Sequence, residues 1–489
     1  MSNYVMGLDI GTTSVKACLF DRIGNLITEA ELMIVTEYPQ QGWVQQDAAE
    51  IEHLAVQAVR EAVTKAKVDR EQIIAIGFSA AMHSLLPVSE QGQPLSAAFI
   101  WADGRGTEQA EQMSVEKRNW LYAKTGTPIH PMTPFLKLLW MKEVQDEAYQ
   151  QASFFMSIKE YIIYCWFGKR LIDYSMASAT GLFNPTTLEW DMELLELAGI
   201  HTEQLSEIVP PTTVLGELKD DLAERMGLAS SVSFVIGAAD GQLSNLGTGA
   251  LLAGEVAVSV GTSGAIRQFT REAKVSPGGE TFCYSFTSDS YIIGGPTNNG
   301  GIVLQWLKQL LNDSGSYESF LEEADQASPG AEGLLFLPYI NGERAPLWNQ
   351  RARGIFYGIT MTHTKAHYVR AVLEGITFNL FQIYRALEKL AGPPMQIYVS
   401  GGLARSPIWL QMMADVFDTS ICVSENHHSA AWGAAWTALV GIKEEERYED
   451  IKNNIPMSDA VLPIRENSRK YEEIYERYEE LAARIVPLF

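Results

Sequence analysis

The chain has 489 residues, 46% hydrophobic and 20% charged; that is the balance of a soluble globular protein, and the length exceeds what one core usually supports, so two large domains are expected. Acidic residues outnumber basic ones, 60 against 37, giving a formal charge of −23, which argues against a nucleic-acid partner or an anionic membrane surface and obliges any anionic ligand to find a local basic pocket. Four widely spaced cysteines, Cys18, Cys165, Cys283 and Cys422, follow no metal-ligand spacing and read as core thiols of a reducing, cytoplasmic compartment, while no apolar run of about 18 residues spans a membrane and no signal peptide opens the chain.

The first stretch, "VMGLDIGTTSVKACLFDRIGNLI" at 5–27, alternates and β-branches as strand, tight turn, strand, with Gly24-Asn25 turning into a third strand. The turn Gly11-Thr12-Thr13-Ser14 offers backbone N–H groups and hydroxyls in a concavity that suits phosphate oxygens. Asp9, just ahead of it, is placed to hold a metal ion riding on those phosphates. An ordinary hairpin with an Asx-type turn accounts for the stretch equally well.

"IEHLAVQAVREAVTKA" (51–66) is an amphipathic helix leading into the strand "IIAIGFS". His83 follows that strand, and "IWADGRG" groups Trp101, Asp103 and Arg105. An indole, a carboxylate and a guanidinium so close together suit a polyol, stacking on its carbons and bonding its hydroxyls. The plainer readings are a satisfied loop histidine and a core tryptophan.

"SVSFVIGAADGQ" (231–242) is a buried-type strand ending at Asp240, where an α/β crevice would bind ligand and a carboxylate could accept a hydroxyl proton. A simple helix N-cap is the competing role. "LSNLGTGALL" (243–252) is rich in small residues and reads as a hinge. "EVAVSVGTSGAIRQF" (255–269) repeats the plan of the first hairpin around Gly261-Thr262-Ser263, with Ser259 at the position of Asp9. Two such hairpins indicate a duplicated domain with a cleft between the copies.

Glycines precede helical patterns in "GGPTNNGGIVLQW" (294–306) and at Gly401-Gly402 in "YVSGGLARSPIWLQMMADVF" (398–417), allowing close approach of backbone to a ligand. Neither matches the Walker P-loop or the dinucleotide fingerprint. A long helix is expected over 367–390 before the strand "QIYVSGG", and a charged amphipathic helix over 467–484. His427-His428 and His363/His367 lack carboxylates at ligand spacing and are not read as a metal site.

In their order these motifs resemble the FGGY carbohydrate kinases, of the sugar kinase, heat-shock 70 and actin superfamily. "DIGTTSVK" resembles the first phosphate motif, "SVGTSGAI" the second, "VSGGLARS" the adenosine motif and "AAWGAAWTAL" the second connecting helix. "PFLKLLWMKE" and "GIFYGITMTHTKAHYVRAVLEG" are similar to the two family signatures, with Tyr368 a departure in the latter.

The resemblance implies an α/β fold of two duplicated ribonuclease H-like (actin-like ATPase) domains, 1–245 holding sugar and the first phosphate motif and 246–489 holding nucleotide. It implies ATP and Mg²⁺ as cofactors. Asp9 would bind the metal through water, and Gly11, Thr12, Thr13, Lys16, Gly261, Thr262, Gly301, Gly402 and Ser406 would surround the nucleotide. Asp240 would be the catalytic base, with Met82, His83, Trp101, Asp103, Arg105, His130 and Arg267 around the substrate. Met82-His83 stands where the glycerol kinases carry an Arg-Glu pair, pointing toward xylulokinases and gluconokinases. "FSAAMHSLL", "TGTPIHPMTP", "GTSGAIR" and "NGERAPLWN" look more like the gluconokinases, whose acid substrate needs a cation such as Arg267, His130 or Arg344. The expected reaction is phosphorylation of D-gluconate at its primary hydroxyl, with a ketose or polyol as the alternative substrate and an ATP-switched binding protein as the non-enzyme alternative. A homodimer is allowed for.

Overall fold

The structure, a computed structural model, describes residues 3–425 and 428–489. Its first sheet is built from β1 (Tyr4–Ile10), β2 (Ser14–Asp21), β3 (Leu26–Met33), β4 (Ile73–Ala80) and β5 (Ser233–Ala239), in the order β3-β2-β1-β4-β5. β1 and β2 form the expected hairpin, with Asp9 opposite Lys16 and Ile10 opposite Val15, while β4 runs parallel to β1.

The second sheet contains β6 (Glu255–Val260), β7 (Gly264–Thr270), β8 (Phe282–Ser285), β9 (Tyr291–Thr297), β10 (Gln396–Ser400) and β11 (Ile421–Val423), in the order β8-β9-β7-β6-β10-β11. Without β8 the plan is that of the first sheet: three antiparallel strands, then two parallel ones. The fold is therefore a duplicated α/β unit, each copy with its own apolar core.

Sequence periodicity places the main helices. α1 (Ala48–Ala66) starts at Asp47, whose carboxylate accepts from the N–H groups of Ala49 and Glu50, and buries Ile51, Ala55, Ala58, Val59 and Ala62. α2 (Pro134–Glu143) starts at Thr133 with proline in its first turn. α3 (Asp240–Gly247) follows β5 directly, and α4 (Gly301–Leu310) follows the second glycine-rich segment. α5 (Lys365–Ala391), α6 (Pro407–Phe417), α7 (Ser429–Gly441) and α8 (Arg465–Ile485) complete the second half. α8 packs Tyr471, Tyr475 and Tyr478 around Phe378 of α5, with ring centroids 6.0, 5.8 and 5.3 Å away.

Two boundaries differ from the sequence reading. The 245/246 division and the start of the 243–252 hinge fall inside α3, because the segment after Asp240 is helical through Gly247. α7, from the second half of the chain, lies against β1, β4 and α3 of the first. Its backbone sits so close that a Cβ on Gly77 would lie 2.0 Å from the Ala434 carbonyl oxygen, and one on Gly433 would lie 2.1 Å from that of Leu243. Only glycine admits that approach.

Candidate active site

Both hairpin turns are held by backbone bonds that leave their N–H edges ordered. Gly11 N–H donates to Ser14 O at 3.0 Å in the first, and Gly261 N–H to Ser263 O at 2.9 Å in the second. The start of α4 is pinned to the second turn, Gly301 N–H donating to Gly261 O at 2.7 Å and Ile302 N–H to Thr262 O at 3.1 Å. Thr12 is held by side chains, its carbonyl accepting from Gln46 Nε2 (2.7 Å) and its hydroxyl from Trp101 Nε1 (2.8 Å).

Asp9 ends β1 and accepts from Ser79 Oγ on β4 at 2.6 Å. Burial pushes its carboxyl above the ordinary range, and Ser79 and Lys16 draw it back. Lys16 itself is engaged by Glu31 at 3.2 Å.

Two cavities meet at Gly261 and Thr262. The larger, about 1410 Å³, is lined by Gly261, Thr262, Gly301, Gln305, Tyr317, Gly402 and Ser406 among others. The smaller, about 300 Å³, is lined by Thr12, Met82, His83, Trp101, Met132, Asp240, Tyr284, Arg267 and Arg344 among others. A phosphate-type turn separating a large cavity from a small polar one is an arrangement for passing a group from one to the other.

Asp240 stands at the N-terminus of α3, where its Oδ1 accepts from Gly241 N–H at 2.7 Å. Burial and then Asp9 push its carboxyl up to about 6, while Arg267 and Arg344 pull the other way. Arg267 lies half-buried beside it, and its buried Nε has no hydrogen-bond partner among the described residues. Arg344 lies over the Trp101 ring at 4.9 Å and donates from Nη2 to Thr297 O at 3.3 Å, again with Nε unpartnered. Its loop is anchored by the buried Glu343, which accepts from Thr297 Oγ1, Asn299 Nδ2 and Asn379 Nδ2. Arg267 and Arg344 thus set two guanidiniums among the carboxylates of Asp240, Asp9 and Glu343, a paired basic feature in an acidic protein.

His83 has left-handed backbone, φ +70°. Its Nδ1 lies 2.7 Å from Ala179 O, and burial pushes the ring down to about 3, so it is neutral with Nδ1–H donating. Nε2 is left as an acceptor.

The structure thus brings Gly261, Thr262, Gly301, Gly402 and Ser406 to the large cavity and Thr12, Met82, His83, Trp101, Asp240 and Arg267 to the small one. Gly11, Thr13, Lys16 and Asp9 belong to the first hairpin but line neither. Asp103 and Arg105 correct the polyol expectation. Asp103 accepts from Val44 N–H (2.7 Å) and from Arg105 Nε (2.9 Å), and the Arg105 guanidinium lies 3.6 Å from the Phe99 ring centroid. They bind one another and brace the loop bearing Trp101 instead of facing the cavity.

His130 is not among the residues lining the small cavity. Its Nδ1 accepts from Met132 N–H at 3.2 Å, so Nε2 carries the hydrogen and donates at 2.8 Å to the Gln350 amide, whose oxygen must face it. It bridges the two halves of the chain.

Ser79, Tyr284 and Lys137 are site features that sequence reading passes over. Tyr284 is buried with its hydroxyl unpartnered among the described residues, and the tyrosine of "TFCYSF" carries no local mark of that. His428, set aside for want of carboxylates nearby in sequence, lies 3.2 Å from Glu29 and 3.6 Å from Cys18 Sγ, both supplied by strands of the first sheet. His427 falls outside the described residues.

Comparison with known proteins gives the family. Residues 4–247 match the FGGY family of carbohydrate kinases, N-terminal domain, and residues 256–442 its C-terminal domain. Gluconokinase from Bacillus subtilis is 38% identical, over 97% of this chain and 94% of the relative. Among solved structures, gluconate kinase from Lactobacillus acidophilus superposes with a TM-score of 0.95 at 33% identity, covering 99% of both chains. The ligand-bound xylulose kinase from the same organism gives 0.95 at 34% identity, covering 99% of this chain and 98% of that one. The two sheets of like order, the paired phosphate turns and the matched profiles make this chain a member of the FGGY family of carbohydrate kinases.

Proposed function

We propose that this sugar kinase transfers the γ-phosphoryl group of ATP to the primary hydroxyl of D-gluconate, forming 6-phospho-D-gluconate, with Asp240 as general base. The observation that carries the acid substrate is the pair Arg267 and Arg344, two guanidiniums that line the small cavity together. Guanidiniums lining a cavity favour an anionic ligand. A sugar acid supplies one and a ketose does not. The 38% identity to a gluconokinase supports the same reading.

The large cavity fits a nucleotide. A Cβ on Gly261 or Gly402 would meet nothing within 4 Å, so their backbone is open to a ligand. Asp9, half-buried, its carboxyl raised by desolvation and one oxygen held by Ser79, fits a divalent cation held through water. When bound, Mg²⁺ would neutralise phosphate charge. The first hairpin, through Gly11, Thr12, Thr13 and Lys16, would approach the phosphates from one side and Thr262 from the other. Asp240 takes the proton of the primary hydroxyl as its oxygen attacks the γ-phosphorus in line and ADP leaves. His83 Nε2 accepts from a sugar hydroxyl, and Trp101 packs on the carbon chain. Four free cysteines, and no helix among the described residues long and apolar enough to cross a membrane, are consistent with a cytoplasmic enzyme.

A second reading is a xylulokinase, favoured by the equal TM-score of the xylulose kinase structure. ADP release with Mg-ATP over D-gluconate, D-xylulose, L-ribulose and glycerol separates the two. Turnover on gluconate at least tenfold above each neutral sugar is expected. A preference for a ketose would overturn the substrate and leave the kinase.

A further inference from the structure

Lys137 lies on α2 with none of its surface exposed. Its Nζ donates to three backbone carbonyls: His83 O at 2.6 Å, Met132 O at 2.7 Å and Ile100 O at 2.8 Å. An ammonium has three N–H donors, and all three are used. The acceptors come from three loops separated in sequence, and each delivers a residue to the small cavity: His83, Met132, and Trp101 immediately after Ile100.

We propose that Lys137 is a positioning residue for the sugar, a buried cation that gathers the three loops forming one side of the acceptor cavity. The proposal rests on the reading of that cavity as the sugar site. A helix residue with no role beyond filling space would be apolar, because a buried amine is costly. Here the cost is visible, as burial draws the amine down to about 7 with no carboxylate in contact; Asp103 attracts it from a distance and Arg105 opposes it. What it gains is charge-assisted bonding to three carbonyl dipoles at once. His83 is the residue most in need of it, since left-handed backbone is unfavourable for a side chain with Cβ and persists only where the surroundings fix it. Lys137 fixes its carbonyl and Ala179 O fixes its ring. The same bond at Ile100 sets the start of the loop whose indole stacks with Arg344 and holds Thr12. A displacement of about 1 Å in such walls costs roughly a hundredfold in rate.

The test is Lys137→Met, which keeps length and removes every donor, and Lys137→Gln, which keeps part of the donation. Steady-state kinetics with the best sugar of the panel, and nucleotide affinity by calorimetry, give the readouts. For the methionine variant the sugar KM should rise at least tenfold and kcat should fall, while ATP affinity stays within about threefold of wild type. The glutamine variant should lie between. A methionine variant with sugar KM and kcat both within threefold of wild type would overturn the proposal. So would loss of ATP binding along with sugar binding in both variants, which would make Lys137 a general stability residue. Failure of the wild-type chain on every sugar would overturn the sugar-site reading itself, whereas an unchanged methionine variant beside an active wild type overturns only the role of Lys137.

Discussion

Asp240 must be anionic to take a proton, yet it is half-buried and desolvated beside a second carboxylate, Asp9. With its carboxyl pushed up to about 6 in the free enzyme, kcat/KM for the sugar should show an acid limb, falling as pH drops through about 6. The limb would not come from unfolding at this site. A folded-state value above the unfolded one means the native state binds the proton more tightly, so this group favours folding as pH falls toward 4. A kcat/KM–pH profile between pH 5 and 8 at saturating nucleotide, with circular dichroism at each point, checks both statements. Asp240→Asn should lower kcat by about a hundredfold or more; a loss under threefold would remove the base role. Arg267 adds a linked prediction, because its charge pulls Asp240 down. Arg267→Met should raise KM for gluconate about tenfold or more, on the scale of a lost charge-assisted bond, and leave that of a neutral ketose within about threefold. It should also move the acid limb to higher pH. An unmoved limb with unchanged gluconate KM would place the carboxylate elsewhere.

The seam of α7 with the first sheet and α3 brings main chain of the two halves into direct contact. Gly77 and Gly433 each face a backbone oxygen near 2 Å from where Cβ would stand, so any side chain must push main chain away from main chain. Gly433→Ala should lower the thermal midpoint by about 1–3 °C, since overpacking costs roughly 1–3 kcal/mol and the unfolding entropy of a chain this long is about 1 kcal/mol per degree. Differential scanning fluorimetry measures it, and an unchanged midpoint would show that the helix is free to move. The hairpins, α1, α5 and α8 are legible in the sequence because their periodicity is local and their buried faces repeat within each element. The host of α7 is not: its small residues announce a close approach without saying to which sheet. The same limit explains Asp103 and Arg105, whose chemistry suits a sugar and suits each other equally, and only the fold shows which one is within reach. Lys137 in "PFLKLLWMKE" reads as a solvated lysine until three distant loops are brought to its amine.

Across the whole molecule, the loop bearing Arg344 continues into a contact between the halves. Trp348 meets His130 edge-on at 5.7 Å, Gln350 bonds its ring, and Arg351 pairs with Glu111. The Arg351 and Glu111 side chains are 66% and 38% exposed, so that pair contributes little, and the His130 bond adds about 1 kcal/mol. A latch of about 1–2 kcal/mol shifts an open–closed balance by roughly 5–30-fold, enough to bias closure and weak enough to release product. Removing it by Gln350→Ala with Arg351→Ala should enlarge the radius of gyration of the free enzyme in small-angle scattering. Sugar with a non-hydrolysable nucleotide should restore the wild-type value, because ligand contacts across the cleft replace the lost ones. The sugar KM should rise severalfold through the reduced closed fraction, and kcat should change little because neither side chain lines the cavity. Unchanged scattering and unchanged KM together would mean that closure is set by the α3–α7 seam alone, and that the contact beside Arg344 serves only to shape its loop.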